Sequence, residues 1–247
     1  MPWRGVDDPY GVLVSEVMLQ QTQVARVMSR WGEWMTVFPT IDSLAAAPLD
    51  AVLERWQGLG YNRRAVALKR CAEQVSEDFG GRLPADPRLL VTLSGIGPAT
   101  AGAVCTYAFR MRAPFIETNV RAAVLHHFFS HQDDVADREL MPIVEATWDR
   151  EDPRGWGYAL TDHGALLKRT LPNPSRRSRH HVRQSPFEGS RRQKRARLLR
   201  AVLSQPGLEA DAYARESAIG GAEAVDLLEA LAGEGFVVRD GDVWRVA

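Results

Sequence analysis

The chain reads as mainly α-helical with a small α+β module at its end, and three observations predict this. Apolar residues recur at helical spacing through most of the first 170 positions, and the alternating pattern of strands comes only after residue 235. A Pro-, Ser- and Arg-rich passage without apolar period, 172–190, separates the two regions. A chain of 247 residues can bury a substantial core, and the composition shift divides it into a large domain, 1–185, and a small one, 186–247.

Asp8-Pro9 supplies an N-cap and a first helical residue for a helix that carries Glu16 and brings Gln20 and Gln21 near its end. A tryptophan-rich helix follows around Trp31 and Trp34. Further helices are predicted at about 42–56, 62–78, 86–93, 98–110, 119–129, 137–149 and 155–169, with Gly58-Leu59-Gly60-Tyr61 separating two of them. In the terminal module, Arg195–Leu203, Ala210–Glu216 and Ala222–Ala232 read as short helices. Phe236 to Val246 then alternates across Asp240-Gly241, a hairpin signal. Three helices and a two-stranded wing suggest a winged-helix-like module. It could read DNA, hold a partner or cap the large domain; its last two helices are acidic, which favours packing over base readout.

Several classes are excluded at this level. No apolar stretch approaches the roughly 20 residues of a membrane helix, and Met1-Pro2-Trp3-Arg4 lacks a signal-peptide core, so a cytoplasmic protein is expected. Cys71 and Cys105, the two cysteines, sit in helical apolar contexts that suit buried free thiols. The formal net charge of zero hides an asymmetry: Lys168 to Arg200 holds twelve Lys or Arg and one acid, Glu188. Such a basic stripe is the footprint expected for phosphate contacts, with nucleic acid favoured over a solvated linker.

Two short segments carry chemistry. Glu16 is the one carboxylate in Ser15-Glu16-Val17-Met18-Leu19-Gln20-Gln21-Thr22-Gln23-Val24, an apolar and amide-rich run. Burial raises an acid's pKa, which would let Glu16 hold a proton near neutral pH and give it to a leaving group. Leu93-Ser94-Gly95-Ile96-Gly97-Pro98-Ala99-Thr100-Ala101-Gly102 places two glycines around an isoleucine between helical segments. That spacing fits a helical hairpin, about 86–110, whose turn comes close to another surface while the amides of the second helix's N-terminus point outward, a geometry suited to phosphate.

The Glu16 run resembles the catalytic helix of the MutY adenine DNA glycosylases, and the Leu-x-Gly-Ile-Gly-x-x-Thr-Ala run resembles the DNA-clamping hairpin of the same helix-hairpin-helix glycosylase superfamily, HhH-GPD. The resemblance covers about residues 2–185 and implies a two-lobed helical glycosylase domain acting on double-stranded DNA, a monomer, with Gly95, Ile96, Gly97, Ala99 and Thr100 at phosphates. It implies that Glu16 protonates the adenine ring after base flipping, because neither catalytic group reaches its atom inside a stacked duplex. A second carboxylate should lie before the helix after the hairpin. There the family has aspartate, whereas this chain has Glu117 in Pro114-Phe115-Ile116-Glu117-Thr118-Asn119. Glu117 would face the cationic sugar, through space or by a transient bond, as the second carboxylate does in glycoside hydrolysis; alternatively it serves only the dipole of the helix it begins.

Other positions carry over one at a time. Gln20 and Gln21 match residues that probe the duplex where the base has left. Tyr61 matches an aromatic near the active site, where it stacks, hydrogen-bonds or packs, and Asn119 matches an asparagine that orders the site or caps its helix. Members that also cut the strand place a lysine immediately before the hairpin threonine; here that residue is Ala99, which implies a monofunctional enzyme leaving an abasic site. The cysteines of the family's iron–sulfur cluster would fall on Lys168, Ser175, Ser178 and Gln184, so no cofactor and no metal is expected, and Arg176, Arg177 and Arg179 are candidates to hold DNA in that loop. His163, His180 and His181 lack ligand spacing. The resemblance also implies a C-terminal domain that recognises 8-oxoguanine, which the short winged-helix-like tail is not expected to replace. Adenine opposite 8-oxoguanine or guanine is the first substrate implied, ahead of hypoxanthine, thymine or uracil opposite guanine, or of a non-catalytic DNA-binding protein.

Overall fold

A computed structural model describes residues 1–182 and 186–247; position 184 and the boundary at 185 lie outside the described residues. The chain forms two compact units. The first joins Met1–Gln20 to Asp78–Arg183, and the second joins Gln21–Glu77 to Gln184–Ala247.

In the first unit a short 3-10 turn, Pro2–Gly5, precedes α1 (Pro9–Leu19), whose N-cap Asp8 accepts from the amides of Tyr10 and Gly11. Helix α1 is buried nearly all round, as a helix apolar on every face must be. It packs on α7, the second helix of the hairpin. The second unit opens with α2 (Val24–Val37), α3 (Ile41–Ala46), α4 (Leu49–Trp56) and α5 (Arg63–Phe79). The single helix predicted at 42–56 is two, because Ala47 is extended before Pro48, as the residue before a proline tends to be. Trp34 meets Phe38 and Trp56 edge-on in the core. The chain returns to the first unit with α6 (Pro87–Leu90), α7 (Pro98–Tyr107), α8 (Thr118–Phe128), α9 (Asp137–Thr147) and α10 (Pro153–Thr170). Helix α6 is one turn long, where the pattern predicted a helix to residue 93.

Helices α8 and α10 make the most extensive helix pair of this unit. Their close approach depends on Gly164, where a methyl group would overlap the backbone of Asn119. Tyr107, Phe115 and Trp148 fill the space beneath, in tilted and edge-on ring contacts. Truncating a buried aromatic of this kind costs about 3–5 kcal/mol.

The C-terminal part of the second unit contains α11 (Arg191–Ser204), β1 (Leu208–Glu209), α12 (Ala210–Ser217), α13 (Gly221–Gly233), β2 (Val237–Asp240) and β3 (Val243–Val246). The sheet is antiparallel in the order β1-β3-β2, and Gly241 takes positive φ in the predicted Asp-Gly turn. Three helices and the wing form as the pattern indicates, and β1 is an added strand too short to show an alternation. Within this unit α11 packs on α4, and Glu234 pairs with both Arg63 and Arg195. These arginines, Arg63 foremost, hold the Glu234 carboxyl below the usual carboxylate range.

Candidate active site

Glu16 is the one carboxyl side chain of α1, enclosed but with part of its surface accessible. Burial in this apolar helix, reinforced by the negative charge of Glu117 and opposed by Arg4, pushes its carboxyl up to about 8. A carboxyl in that range holds its proton at neutral pH, the state a general acid needs.

Glu117 reaches the same place from α8. It is the N-cap of that helix: Oε1 accepts from the Val120 amide at 2.9 Å, and Oε2 accepts from Asn119 Nδ2 at 3.2 Å. Capping and a second carboxylate role are therefore compatible, since each oxygen keeps a further lone pair. Asn119 is not the cap; it steadies the carboxylate that is.

Residues that local patterns did not identify complete the surroundings. Arg4, from the N-terminal turn, pairs bidentately with Asp162 of α10 at 2.6 and 2.7 Å and lies 4.4 Å over the Tyr158 ring. Tyr158 stacks on Tyr107 at 4.1 Å, and the Tyr107 hydroxyl meets Thr161 at 3.2 Å. Burial first and the Glu16 charge second keep the Tyr107 phenol protonated. These contacts join segments about 50 to 158 residues apart, so no local pattern could reveal them.

The hairpin turn follows the expectation from its glycines. Gly95 has φ +76°, which favours glycine, and Ile96 is buried, anchoring the turn. Gly97, the N-cap of α7, has ordinary φ and open space around it, so nothing inside the protein requires glycine there. Gly97 offers no side-chain cap and Pro98 has no amide, so no side chain of the N-cap residue meets the N–H groups of Ala99 and Thr100. Gln20 Nε2 donates to Thr100 Oγ1 at 3.3 Å, tying the end of α1 to this helix.

Gln21 and Tyr61 belong to the second unit. Both have positive φ, 55° and 48°. Tyr61 is 41% exposed, and its hydroxyl accepts from Arg192 Nη1 at 2.9 Å.

The cluster positions of the family do not fit a metal here. Ser175 and Ser178 are buried and already engaged, with the Thr118 carbonyl and the His180 amide. Lys168 is an ammonium, and Cys71 and Cys105 are separate buried thiols pushed up to about 12 and about 11 by burial. His163 lies 2.8 Å from His127, and the described residues contain no group of three metal-ligating side chains.

Arginines brace this loop. Arg177 donates to the Leu125 and Ser130 carbonyls at 3.0 and 2.5 Å, around the C-terminal end of α8, and Arg179 pairs with Asp134. A parallel bridge between Val135 and Ser178 closes the arrangement. Of the three arginines expected at DNA, Arg177 is thus turned inward and Arg179 is paired, while Arg176 is exposed without an ion pair among the described residues.

The helical domain thus carries a glycine hairpin and two carboxyls, Glu16 and Glu117, of which the second acts electrostatically on the first. Residues 14–149 match the family described as HhH-GPD superfamily base excision DNA repair protein, and the chain belongs to that superfamily. Among its relatives, the adenine DNA glycosylase of Mycobacterium tuberculosis (strain ATCC 25618 / H37Rv) is 39% identical over 172 residues, covering 68% of this chain and 56% of that protein. The adenine DNA glycosylase of Homo sapiens is 44% identical over 180 residues, 68% of this chain and 33% of that protein. The chain spans about half the length of the bacterial relatives it matches. A thermostable thymine-DNA glycosylase structure superposes with TM-score 0.60 at 24% identity, covering 67% of this chain and 78% of that one. An endonuclease III in non-covalent complex with DNA gives TM-score 0.54 at 19% identity, covering 73% and 78%. At those identities the likeness shows the fold.

Proposed function

We propose that this chain is a monofunctional DNA glycosylase that releases adenine mispaired with 8-oxoguanine or guanine from double-stranded DNA, acting as a monomer in the cytoplasm at the nucleoid. The observation that carries the reading is the pair of carboxyls with opposite character: Glu16, enclosed and holding its proton, beside Glu117, capped and hydrogen-bonded at the start of α8. The adenine glycosylases among its relatives support adenine as the base.

In this mechanism the hairpin amides of Ala99 and Thr100 grip a phosphate, with Arg176 as a further contact. The adenine flips out, and Gln20 and Gln21 probe the gap. Glu16 gives its proton to the adenine ring, the bond from sugar C1′ to the base nitrogen breaks, and its electron pair leaves with the neutral base. The cationic sugar is stabilised by Glu117, through space or by a transient bond to C1′. Water then adds at C1′ and loses a proton, leaving an abasic site with the strand intact. Ala99 occupies the place where a lysine would form a Schiff base, so no strand cleavage follows. The chemistry uses no cofactor or metal. The module 186–247 serves as a support packed on the 21–77 helices, with Tyr61 and Arg192 at their junction.

A single-turnover assay on duplexes holding adenine opposite 8-oxoguanine, adenine opposite guanine, hypoxanthine, and thymine or uracil opposite guanine tests this. Adenine release, with breaks appearing only after alkali, is the expected result. Release of a different base replaces the substrate, and tight binding with no release from any duplex overturns the enzyme reading.

A further inference from the structure

Tyr61 stands at the corner between α4 and α5 with a backbone that its surroundings must hold. Its φ of 48° lies in the left-handed region, which a bulky L residue adopts only where neighbouring groups enforce it. On the inner side, Trp56 Nε1 donates to the Gly60 carbonyl at 3.0 Å, and Arg64 Nη2 donates to the Gly60 and Leu59 carbonyls at 2.9 and 3.1 Å. The Arg64 amide donates to the Tyr61 carbonyl at 2.9 Å. These bonds fix the backbone of the corner, and none of them reaches the phenol hydroxyl of a ring that stays 41% exposed.

The hydroxyl is held from the C-terminal module of the same unit. Arg192, half-buried in the first turn of α11, donates from Nη1 to the Tyr61 hydroxyl at 2.9 Å, and its guanidinium carbon stands 6.0 Å from the ring centroid. The guanidinium carbon of Arg64 stands 5.6 Å from the same centroid, so the ring meets one cation from α5 and one from α11. A second tie keeps α11 in place. Arg195, three residues on and on the same helix face, pairs with Glu234 at 2.8 Å, and Glu234 also pairs with Arg63, two residues after Tyr61, at 2.6 Å. The module therefore grips this corner twice, at the Tyr61 side chain and at the start of the helix that follows it.

We propose that Arg192 is a positioning residue that holds the Tyr61 ring ready to enter the duplex, so that the C-terminal module takes part in distinguishing a lesion pair from a sound one. This rests on the glycosylase reading above and on Tyr61 facing the DNA. An aromatic side chain ordered in advance loses less freedom when a base stacks on it. A mispaired or damaged base leaves its stack more readily than a sound one, so an ordered ring favours binding at the lesion and gives little at a sound pair. Arg192 acts here through Tyr61 and transfers no proton.

The experiment compares wild type, Arg192→Met, Tyr61→Phe and the double variant. Lesion affinity is read as the half-saturating protein concentration in single-turnover release from a duplex with adenine opposite 8-oxoguanine, and affinity for a fully paired duplex by anisotropy. Tyr61→Phe removes only the hydroxyl that Arg192 meets. Arg192→Met is expected to weaken lesion affinity about five-fold, the double variant no further, and binding of the paired duplex by less than about two-fold. In the free protein labelled with 13C in its tyrosine rings, the Tyr61 resonance, assigned with Tyr61→Phe, should move in Arg192→Met. Losses that add in the double variant, with a salt slope lowered by about one, would make Arg192 a phosphate contact and overturn the proposal. Equal losses on both duplexes, with a lowered melting temperature, would make it a support of the fold and overturn it too, as would an unmoved Tyr61 resonance. Should wild type release no base at all, the glycosylase reading fails, and the ring resonance still decides whether Arg192 positions Tyr61.

Discussion

At the scale of single residues, the account turns on one acid and its environment. Glu16 is pushed up to about 8 from 4.5, chiefly by burial. The folded protein therefore retains a proton between those values that the unfolded chain gives up, and stability falls as pH rises through that window. Glu16→Gln removes this liability. Its melting temperature should exceed that of wild type by an amount that grows toward pH 8, corresponding to about 1–3 kcal/mol, and should match wild type near pH 4. The same variant should lose base release by about 100-fold or more while binding the duplex, as measured by single-turnover kinetics and anisotropy. Glu16 was legible in the sequence because it is the lone carboxyl of an apolar run, which marks its helix as one to be buried. Arg4 and Tyr107 were not, since they act on Glu16 only through the packing of the N-terminal turn, α1, α7 and α10.

At the scale of elements, the hairpin and the clamp on α8 make separable predictions. Gly97 has open space around it and an ordinary backbone conformation. Gly97→Val should keep the melting temperature within a few degrees yet weaken duplex binding about tenfold or more, because the added side chain meets the phosphate and not the protein. A large loss of stability would instead make Gly97 a structural glycine. Arg177→Met should lower stability by about 1–3 kcal/mol in thermal unfolding, since it frees two carbonyls at the end of α8. Helices long enough to show several apolar turns were legible, among them α5, α8 and α10. The division of 42–56 at Pro48, the single turn of α6 and the two residues of β1 fall below the length at which a period can be read.

At the scale of the molecule, the chain crosses between its two units, and the C-terminal part shares a unit with residues 21–77. That partnership depends on pairs such as Arg195–Glu234 and Arg63–Glu234, which no local pattern shows. The basic stripe was legible as charge but not as use: Lys194, Arg195 and Arg179 are spent on Glu223, Glu234 and Asp134. Surface pairs of this kind contribute about 0–1 kcal/mol each, so their larger effect is to withdraw cations from DNA. The affinity for duplex should accordingly fall with salt by a slope set by few phosphates, smaller than the twelve basic residues of the stripe would give. A slope near the full count, from a binding titration at several salt concentrations, would mean that these pairs open on DNA.

The measurement that tests the central claim most directly is the pH dependence of single-turnover adenine release by wild type and Glu16→Gln, from a duplex with adenine opposite 8-oxoguanine. The two-carboxyl account predicts release that declines above an alkaline limb near pH 8 in wild type and is lost from the variant across the range, with duplex binding intact. Release by Glu16→Gln at the wild-type rate, with the alkaline limb unchanged, would contradict it.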